Sequence, residues 1–165
     1  VWVTPTDVTA IEGMYISDSA EKITEKGLSD SSANLLEPGA VLMTSRATIG
    51  KAVINTVPAT TNQGFKSLVP GDRLYNEYLY YYTHTMADYL TEIGGGSTFP
   101  EINKTDTQNI RVPIPPLDEQ KRIAEILNKA DQKRLEELKR KQKLQDLKRG
   151  LMQDLLTGKV RVNTD

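Results

Sequence analysis

The sequence predicts an α+β protein, in which a domain built on a mixed sheet is followed by one long C-terminal helix of the coiled-coil type. Short apolar runs between Pro-Gly turns occupy the middle of the chain, as is typical of strands. A later stretch has helical spacing and stops at a run of glycines. From Leu117 onward the chain is highly charged and contains no proline. We therefore expect a sheet domain over residues 1–116, a helix over 117–158 and a short tail over 159–165.

Strands are expected from three apolar segments in the first half of the chain. Residues 40–44 form a nearly continuous apolar run after a Pro-Gly turn, which predicts a buried strand. Residues 51–54 would return beside it, and residues 64–71 would add a third strand. Before position 40 the chain mixes short apolar pieces with turn-forming residues. We expect strands and turns there, with one short helical piece around residues 20–26.

Helical spacing begins at Tyr75. Six apolar residues from Tyr75 to Ile93 recur at steps of three and four, which places them on one face of a single helix. Beyond the glycine run, Ile110, Val112 and Ile114 alternate with an arginine and a proline. Because proline cannot donate to a strand ladder, this alternation predicts an edge strand.

The long helix carries its apolar residues mostly at steps of three and four, with slips after Ala130 and Leu138. This spacing is typical of a coiled coil with irregular heptads. An isolated amphipathic helix cannot bury such a stripe, so the pattern predicts a partner helix, from another chain or from a part of this chain that is absent here. The expected pairing residues are Ile123, Leu127, Leu138, Leu147, Leu151 and Leu155.

Composition limits the class of protein without indicating a function. The 165 residues are 38% hydrophobic and 26% charged, which suits a folded chain, and no apolar run reaches the ~18 residues that span a bilayer. The absence of cysteine excludes disulfides and thiolate metal sites, and we expect a cytoplasmic protein. Residues 1–112 carry 8 Lys or Arg against 13 Asp or Glu (−5), and residues 113–165 carry 13 against 9 (+4). Charge alone therefore does not imply DNA binding.

Most of the residue patterns of catalytic sites are missing from the sequence. The one histidine, His84, has no second histidine or cysteine with which to bind zinc. The Gly-Lys pair of TIGKAV lacks the spacing of a phosphate-binding loop, and no carboxylates cluster as in a metal-dependent nuclease. We therefore predict that the chain is not an enzyme and that it binds neither a metal ion nor a cofactor.

Three polar loops contain residue types that suit DNA. They lie in TSRATIGK, ATTNQGFK and GGGSTFPEINK. Arginine can bind guanine through two hydrogen bonds, glutamine suits adenine, and lysine, serine and threonine contact phosphates. Spacing alone also fits ordinary solvated loops. The candidate DNA-binding residues are Ser45, Arg46, Thr48, Lys51, Gln63, Lys66, Ser97, Thr98 and Lys104.

Several motifs resemble, in sequence order, those of one known family. PIPPLDEQKRIAEILNKAD followed by LKRGLMQDLLTGKVRV is similar to the conserved segment of the DNA-specificity subunit of type I restriction–modification systems. Upstream, GAVLMTSRATIGKAVI, TNQGFKSLVP and GSTFPEINKTDTQNIRVPIPP resemble landmarks of the target recognition domain of that family. Together these segments cover nearly all of the chain.

The resemblance implies a function and a set of partners. Such subunits carry two target recognition domains, each followed by a long helix, and the helices pack antiparallel as a spacer. Each domain reads one half of a split site in double-stranded DNA. Modification subunits, which bind S-adenosylmethionine and methylate adenine, dock on the assembly, and a restriction subunit that translocates DNA joins it. The specificity subunit itself is not catalytic and binds no cofactor.

This chain departs from the family pattern because it has one recognition domain and one long helix. Family members also have further residues before a segment such as WVTPTDV, so we expect the N-terminal part of the domain to be missing. The chain would be either a half-length subunit that pairs with itself or a fragment, and two self-paired copies would read a palindromic split site. The alternative function is a coiled-coil dimerisation or scaffold protein without DNA specificity, which the helix alone supports equally well.

Overall fold

The computed structural model describes residues 1–46, 48–94 and 101–163. The chain divides into two compact units, Val1–Glu125 and Ile126–Asp165. The first unit contains a mixed sheet and several helices, and the second contains most of the long C-terminal helix. The predicted α+β class, with a mixed sheet and a long helix, is therefore confirmed.

Six short strands form two sheets in the described residues. They are β1 (Trp2–Val3), β2 (Tyr15–Ile16), β3 (Val41–Thr44), β4 (Ala52–Asn55), β5 (Thr60–Thr61) and β6 (Phe65–Leu68). The main sheet has four strands in the order β2-β4-β3-β6. β4 pairs parallel with β2 and antiparallel with β3, and β3 pairs antiparallel with β6. β1 and β5 pair parallel in a separate small sheet.

The central strands β3 and β4 are buried along their whole length because both faces of the main sheet are covered. Val41 and Met43 pack into a core on one face, whereas Leu42 packs into a second core on the other. Alternate side chains of a strand point to opposite faces, so a strand covered on both faces needs apolar residues at every position. The predicted strands around residues 40–44, 51–54 and 64–71 are confirmed.

The first unit also contains helices, two of which lie between strands in the sequence and three of which follow the last strand. They are α1 (Pro5–Ala10), α2 (Glu25–Ser29), α3 (Asn76–Thr85), α4 (Ala87–Gly94) and α5 (Lys104–Gln108). α2 overlaps the end of the short helical piece predicted around residues 20–26. α1 and α5 have no counterpart among the predicted elements.

α3 and α4 replace the single helix predicted from Tyr75 to Ile93, so that prediction is wrong. Met86 separates them, and its N–H donates to the carbonyl of Thr83 (3.2 Å), three residues back rather than four. The hydroxyls of Thr83 and Thr85 also donate to carbonyls of their own helix. Threonine hydroxyls that bond backward in this way favour a bend in a helix, and the break lies directly beside these two.

No strand forms in residues 109–116, all of which the structure describes, so the predicted edge strand there is wrong. Carbonyls of this segment accept hydrogen bonds from tyrosine hydroxyls of α3 instead of from a neighbouring strand. Tyr78 Oη donates to the carbonyl of Pro113 (3.1 Å), and Tyr82 Oη donates to the carbonyl of Arg111 (2.9 Å). The prolines of the segment also lack the N–H groups that a ladder needs.

The two helices without a predicted counterpart both start with a capping box. At α1 the Asp7 N–H donates to the Thr4 hydroxyl, and the Thr4 N–H donates to the Asp7 carboxylate (2.8 Å). Asn103 and Asp106 make the same reciprocal pair at α5. A threonine or asparagine three residues before an aspartate is the sequence signal that marks both helix starts.

Asp7 also anchors a distant part of the chain, because its carboxylate accepts a hydrogen bond from the Ala20 N–H (3.0 Å). Burial acts to raise the pKa of Asp7, but hydrogen bonds from Ala20 and Thr4 outweigh it and hold the pKa below the usual 3.8. A carboxyl group whose pKa is lower in the folded than in the unfolded state stabilises the fold above its unfolded pKa. This stabilisation is lost as the pH falls through the folded pKa.

We expect the substitution Asp7→Ala to lower the free energy of unfolding by about 1 kcal/mol at neutral pH, because the capping box is lost. The difference from the wild-type protein should shrink once the pH is below 3.8, since the wild-type carboxylate then begins to be protonated. Urea denaturation at several pH values measures this difference. Asp72→Ala, a change at an exposed carboxylate, is the control. A difference that does not depend on pH would contradict the role of the ionised carboxylate.

The long helix α6 (Leu117–Leu156) begins at the predicted residue and ends just before the predicted end. Asp118 and Glu119 lie in its first turn, where negative charge is favourable against the positive end of the helix dipole. Its residues up to Glu125 belong to the first unit, and the remainder belongs to the second. Among the described residues, no helix combines the length and the apolar composition needed to cross a bilayer.

Gln120 in the first turns of α6 is completely buried within the first unit. Its side-chain nitrogen donates to the carbonyls of Arg73 (2.9 Å) and Pro115 (2.7 Å). Its side-chain oxygen accepts a hydrogen bond from the Tyr75 N–H (2.8 Å). One amide side chain therefore ties the start of α6 to the segment before α3 and to the end of the proline-rich segment.

Candidate nucleic-acid interface

Three polar segments that are far apart in the sequence meet at the end of β3. The Ser45 N–H donates to the carbonyl of Gly64 (2.8 Å), which joins the first segment to the second. The Ile102 N–H donates to the carbonyl of Ser45 (3.0 Å), which joins the first segment to the third. Three loops with candidate DNA-binding residues are therefore assembled around the backbone of one residue.

Two cations and one carboxylate lie at the centre of this assembly. Arg46 Nε is 2.9 Å from Glu101 Oε2, and Lys66 Nζ is 3.6 Å from Glu101 Oε1. The side chain of Arg46 is 45% exposed and that of Lys66 is 20% exposed, so both cations are accessible from solvent. We call Arg46, Lys66 and Glu101 the Glu101 cluster. Two cations and one carboxylate give it a net charge of +1.

Glu101 is ionised in this cluster. The hydrogen bond from Arg46 lowers the pKa of Glu101 below its usual value of 4.5, and the positive charges of Arg46 and Lys66 lower it further against partial desolvation. Glu101 is absent from the candidates drawn from the sequence, which were selected for DNA-contacting residue types. The available signal was that it is the one acidic residue in the loop GGGSTFPEINK.

Ser45 lies behind the surface, because its side chain is completely buried. Its hydroxyl accepts a hydrogen bond from Lys66 Nζ (3.5 Å). A side chain with no exposed surface makes no direct contact with DNA in this conformation. Any effect of Ser45 on DNA binding would therefore pass through the position of Lys66.

Thr48 and Lys51 lie in the exposed turn between β3 and β4. The Thr44 hydroxyl donates to the backbone carbonyls of both residues, which holds the turn closed. Gly50 completes the turn with a φ of 84°, a backbone conformation that glycine adopts without strain. Thr48 and Lys51 thus stand on a turn that closely follows Arg46 of the Glu101 cluster in the sequence.

A groove of about 910 Å³ in the first unit is lined by all four residues of β6. Apolar side chains such as Phe65 and Leu79 line part of it. Three of the candidate DNA-binding residues, Gln63, Lys66 and Lys104, also line it. The structure therefore brings these three residues to one concave surface, while Thr48 and Lys51 are not among its lining residues.

Two of the candidates, Ser97 and Thr98, lie outside the described residues and stay predictions. The groove has further polar lining residues that are not among the candidates, and Ser31, Ser32 and Asn34 are three of them. They come from the stretch SDSSAN, which has the composition of an ordinary turn. No sequence signal distinguished these residues from those of other turns.

The residues expected to pair helices are divided between the two units. Ile123 belongs to the first unit and is half-buried there. The other five lie in the second unit and are exposed by 37% to 58%. We define the distal leucine stripe as the residues at steps of three, four and four near the end of α6, which are Leu144, Leu147, Leu151 and Leu155. Each of these four side chains is at least 41% exposed.

The described residues contain no group of three His, Cys, Asp or Glu side chains placed to hold a metal ion. His84 Nδ1 lies 2.9 Å from the carbonyl of Tyr80, and the centres of the two rings are 4.5 Å apart. These contacts are within α3 and are those of a packing residue. The three polar loops around the Glu101 cluster are the part of the first unit with the clearest binding chemistry.

Comparison with known proteins identifies relatives over most of the chain. Residues 2–147 match the family model of the type I restriction modification DNA specificity domain. The MjaIX specificity subunit of a type I restriction enzyme from Methanocaldococcus jannaschii is 43% identical over 132 residues, which cover 79% of this chain and 31% of that protein. The EcoR124I/EcoR124II specificity subunit from Escherichia coli is 28% identical over 137 residues, covering 79% of this chain and 33% of that protein. The chain therefore spans about a third of the length of these relatives.

Two solved structures are similar to this fold. A chain from a structure of a type I restriction–modification system is 32% identical with a TM-score of 0.60, covering 73% of this chain and 31% of that chain. The HsdS subunit from Thermoanaerobacter tengcongensis is 30% identical with a TM-score of 0.55, covering 73% of this chain and 30% of that chain. The family match covers far more than half of the residues and agrees with the fold. The chain belongs to the type I restriction modification DNA specificity domain family.

Proposed function

We propose that this chain is a non-catalytic DNA-reading part of a type I restriction–modification complex. In this role it reads one half of a split site in double-stranded DNA and directs the adenine methyltransferase and restriction subunits to that site. The observation that supports the proposal most directly is the meeting of three polar loops around the Glu101 cluster in a chain of this family. DNA as the target also fits the expected cytoplasmic location.

The kinds of protein that this chain resembles support this role. They are specificity subunits of type I restriction enzymes, and one similar structure concerns complex assembly in a type I restriction–modification system. We infer that modification subunits dock on the assembly containing this chain and that a translocating restriction subunit joins it. S-adenosylmethionine would then be bound by the modification subunit, and this chain would bind no cofactor.

The proposed DNA surface consists of the exposed candidates around the Glu101 cluster and along the groove. Arg46 and Lys66 supply positive charge for phosphates, and Lys104 adds a third cation on the wall of the groove. Gln63 is exposed and its side-chain amide can pair with adenine. Thr48, Lys51, Ser97 and Thr98 complete the proposed surface, and Ser45 acts through Lys66.

The second unit supplies a pairing surface in this proposal. The distal leucine stripe is apolar and exposed, and burial against another helix removes it from water. We infer that α6 pairs with the same helix of a second copy of this chain. The paired helices would then serve as the spacer between two recognition domains, each of which reads one half-site.

Selection of DNA from a library of random duplexes tests the proposal. The full chain and a modification subunit should together enrich one short motif, and the genome should lose adenine methylation at that motif when the gene is deleted. The methylated sites would also reveal the symmetry of the motif and the spacing of its halves. A library without enrichment and a methylation pattern that survives deletion would contradict the proposal.

We expect the substitution Arg46→Ala to weaken binding to DNA, and most of all to random duplexes, because it removes a cation that faces phosphate. The slope of log affinity against log salt should become shallower, by at most about one. Arg111→Ala is the matched control, since Arg111 is exposed and its neighbours Ile110 and Val112, but not Arg111 itself, line the groove. An unchanged affinity and an unchanged salt slope would remove Arg46 from the proposed surface.

The second candidate function is a dimerisation or scaffold protein without DNA specificity. The exposed distal leucine stripe favours it, because helix pairing needs no DNA surface. Both functions predict self-association, so molecular mass does not distinguish them. Retention on immobilised duplex DNA with a preference for one sequence does, since a scaffold protein would show no such preference.

A further inference from the structure

The Glu101 carboxylate lies between two cations of the proposed DNA surface. Its two carboxylate oxygens face two different cations, Arg46 at 2.9 Å and Lys66 at 3.6 Å. Its side chain is 36% exposed, so the carboxylate stands at the same surface as the cations. The Glu101 carboxylate contacts the Arg46 guanidinium at its Nε atom. The two cations therefore already have an anionic partner before any DNA arrives.

The backbone holds Glu101 in this position. Arg46 and Glu101 form an isolated antiparallel bridge, next to the hydrogen bond from the Ile102 N–H to the Ser45 carbonyl (3.0 Å). The Glu101 N–H donates to the carbonyl of Gly94 (3.1 Å). Lys66 is held on the other side by its bond to the Ser45 hydroxyl. Main-chain contacts thus position Arg46 and Glu101, and a side-chain hydrogen bond positions Lys66, unlike a pair between two long side chains that meet by chance on a surface.

We propose that Glu101 is a specificity-determining residue, whose carboxylate competes with DNA phosphates for Arg46 and Lys66. This inference rests on the proposed function. Every duplex presents phosphates, and each must displace the Glu101 carboxylate to reach the two cations. Random DNA binds through its phosphates alone, whereas the preferred sequence binds largely through its bases and depends less on freeing the two cations from Glu101. Glu101 therefore lowers affinity for random DNA more than affinity for the preferred site.

The salt dependence of binding provides a direct readout of this competition. Each phosphate contact releases condensed counterions and makes the slope of log affinity against log salt more negative by about 0.9. A cation that is held by Glu101 contributes less to this slope than a free one. Removing the negative charge should therefore steepen the slope for random duplexes. A purely structural role of Glu101 would lower affinity or stability without making the slope steeper.

The test compares E101Q with the wild-type full chain. The amide keeps the size of the side chain and the backbone bridge but removes the charge. E12Q is the matched control, because Glu12 is an exposed carboxylate and the same substitution there makes the same change in net charge. Binding is measured by fluorescence anisotropy, over a range of salt, on a random duplex pool and on the duplex enriched by selection.

We expect E101Q to bind the random pool more tightly, with a salt slope steeper by about one to two. The ratio of affinities for the enriched and random duplexes should fall, and the fall should be about threefold larger at the low end of a fourfold salt range than at the high end, the effect of one added phosphate contact. E12Q should leave the ratio near that of the wild-type protein. E101D restores the charge on a shorter side chain and should recover part of the ratio.

Several outcomes would overturn the inference. An E101Q protein that shows the wild-type ratio and slope would do so while leaving the proposed function intact. If E12Q and E101Q change the affinity ratio and the salt slope equally, the inference is also overturned, because the effect would then be one of net charge. If the wild-type protein itself prefers no duplex, the proposed function fails, and this inference fails with it. Thermal melting of each variant identifies loss of binding that results from misfolding. An E101D protein that folds but shows the same affinity ratio as E101Q would also overturn the inference.

Discussion

Replacing Leu147 and Leu151 together with glutamate is expected to turn self-associated chains into monomers. Both residues belong to the distal leucine stripe, and they are 58% and 50% exposed within the second unit. A paired helix would bury them, and glutamate at the same positions would place charge in that interface. The expected result follows from the proposed pairing of α6 with the α6 of a second copy.

The expected size of this effect is large because the interface is symmetric. Burying one leucine side chain contributes about 1.5 kcal/mol or more, and two substitutions affect four side chains in a pair of chains. The loss is then about 6 kcal/mol, which raises the dissociation constant by roughly 10⁴-fold. Sedimentation velocity over a range of concentrations measures the change. The first unit should keep its fold, because neither residue belongs to it.

The matched control carries glutamate at two positions of the same helix segment outside the stripe. Gln145→Glu with Gln153→Glu adds the same negative charge and replaces two exposed glutamines. We expect this control to retain the mass of the wild-type assembly. A wild-type chain that is monomeric at high concentration would contradict self-pairing. So would a Leu147 and Leu151 double variant that retains the wild-type mass.

Replacing Gln120 with methionine is expected to destabilise the first unit by about 3 kcal/mol. Methionine is also long and unbranched, so it fills the space with little strain. It leaves the Arg73 and Pro115 carbonyls and the Tyr75 N–H buried without their present partner. Each unsatisfied buried group costs about 1–3 kcal/mol, and local rearrangement or water reduces the sum.

Urea denaturation followed by tyrosine fluorescence measures the change in the free energy of unfolding. Gln132→Met is the control, because Gln132 is an exposed glutamine of the same helix. It should remain within about 0.5 kcal/mol of the wild-type protein, as surface changes usually do. A Gln120→Met protein with wild-type stability would show that these three hydrogen bonds contribute little. Gln120→Asn, with a shorter amide that cannot reach all three groups, should also be destabilised.

The parts of the fold that the sequence predicts correctly are those whose signal is contained in one segment. β3 and β4 are covered on both faces and therefore read as unbroken apolar runs. α6 starts at Leu117 because the last proline and two acidic residues mark its first turn. α1 and α5 could have been found from their capping boxes, which also need only a few consecutive residues.

The two wrong predictions have in common that hydrogen bonds from side-chain hydroxyls accompany the departure from the predicted element. Residues 109–116 alternate like a strand, but tyrosine hydroxyls of α3 donate hydrogen bonds to carbonyls of this segment. The break at Met86 lies beside threonine hydroxyls that donate hydrogen bonds to carbonyls of their own helix. Hydrophobic spacing carries no information on either competition, because both concern polar partners.

The residue types of the candidate site came from the sequence, whereas their grouping came only from the tertiary structure. Polar loops at three places in the chain predicted a DNA surface, and family resemblance gave them a role. Hydrogen bonds between Ser45, Gly64 and Ile102 bring those loops together. The same folding places Glu101 between two cations and buries Ser45.

The sequence by itself determined the α+β class, the central strands, the start of the long helix and the family. These features rest on local periodicity and on motifs of consecutive residues. Only the tertiary structure decided which charges meet and which amide is buried. Arg46 is 55 positions from Glu101 in the sequence, and Tyr75 is 45 positions from Gln120. Contacts between residues so distant depend on the packing of the whole first unit, since no local pattern specifies the partner of a charged or polar side chain.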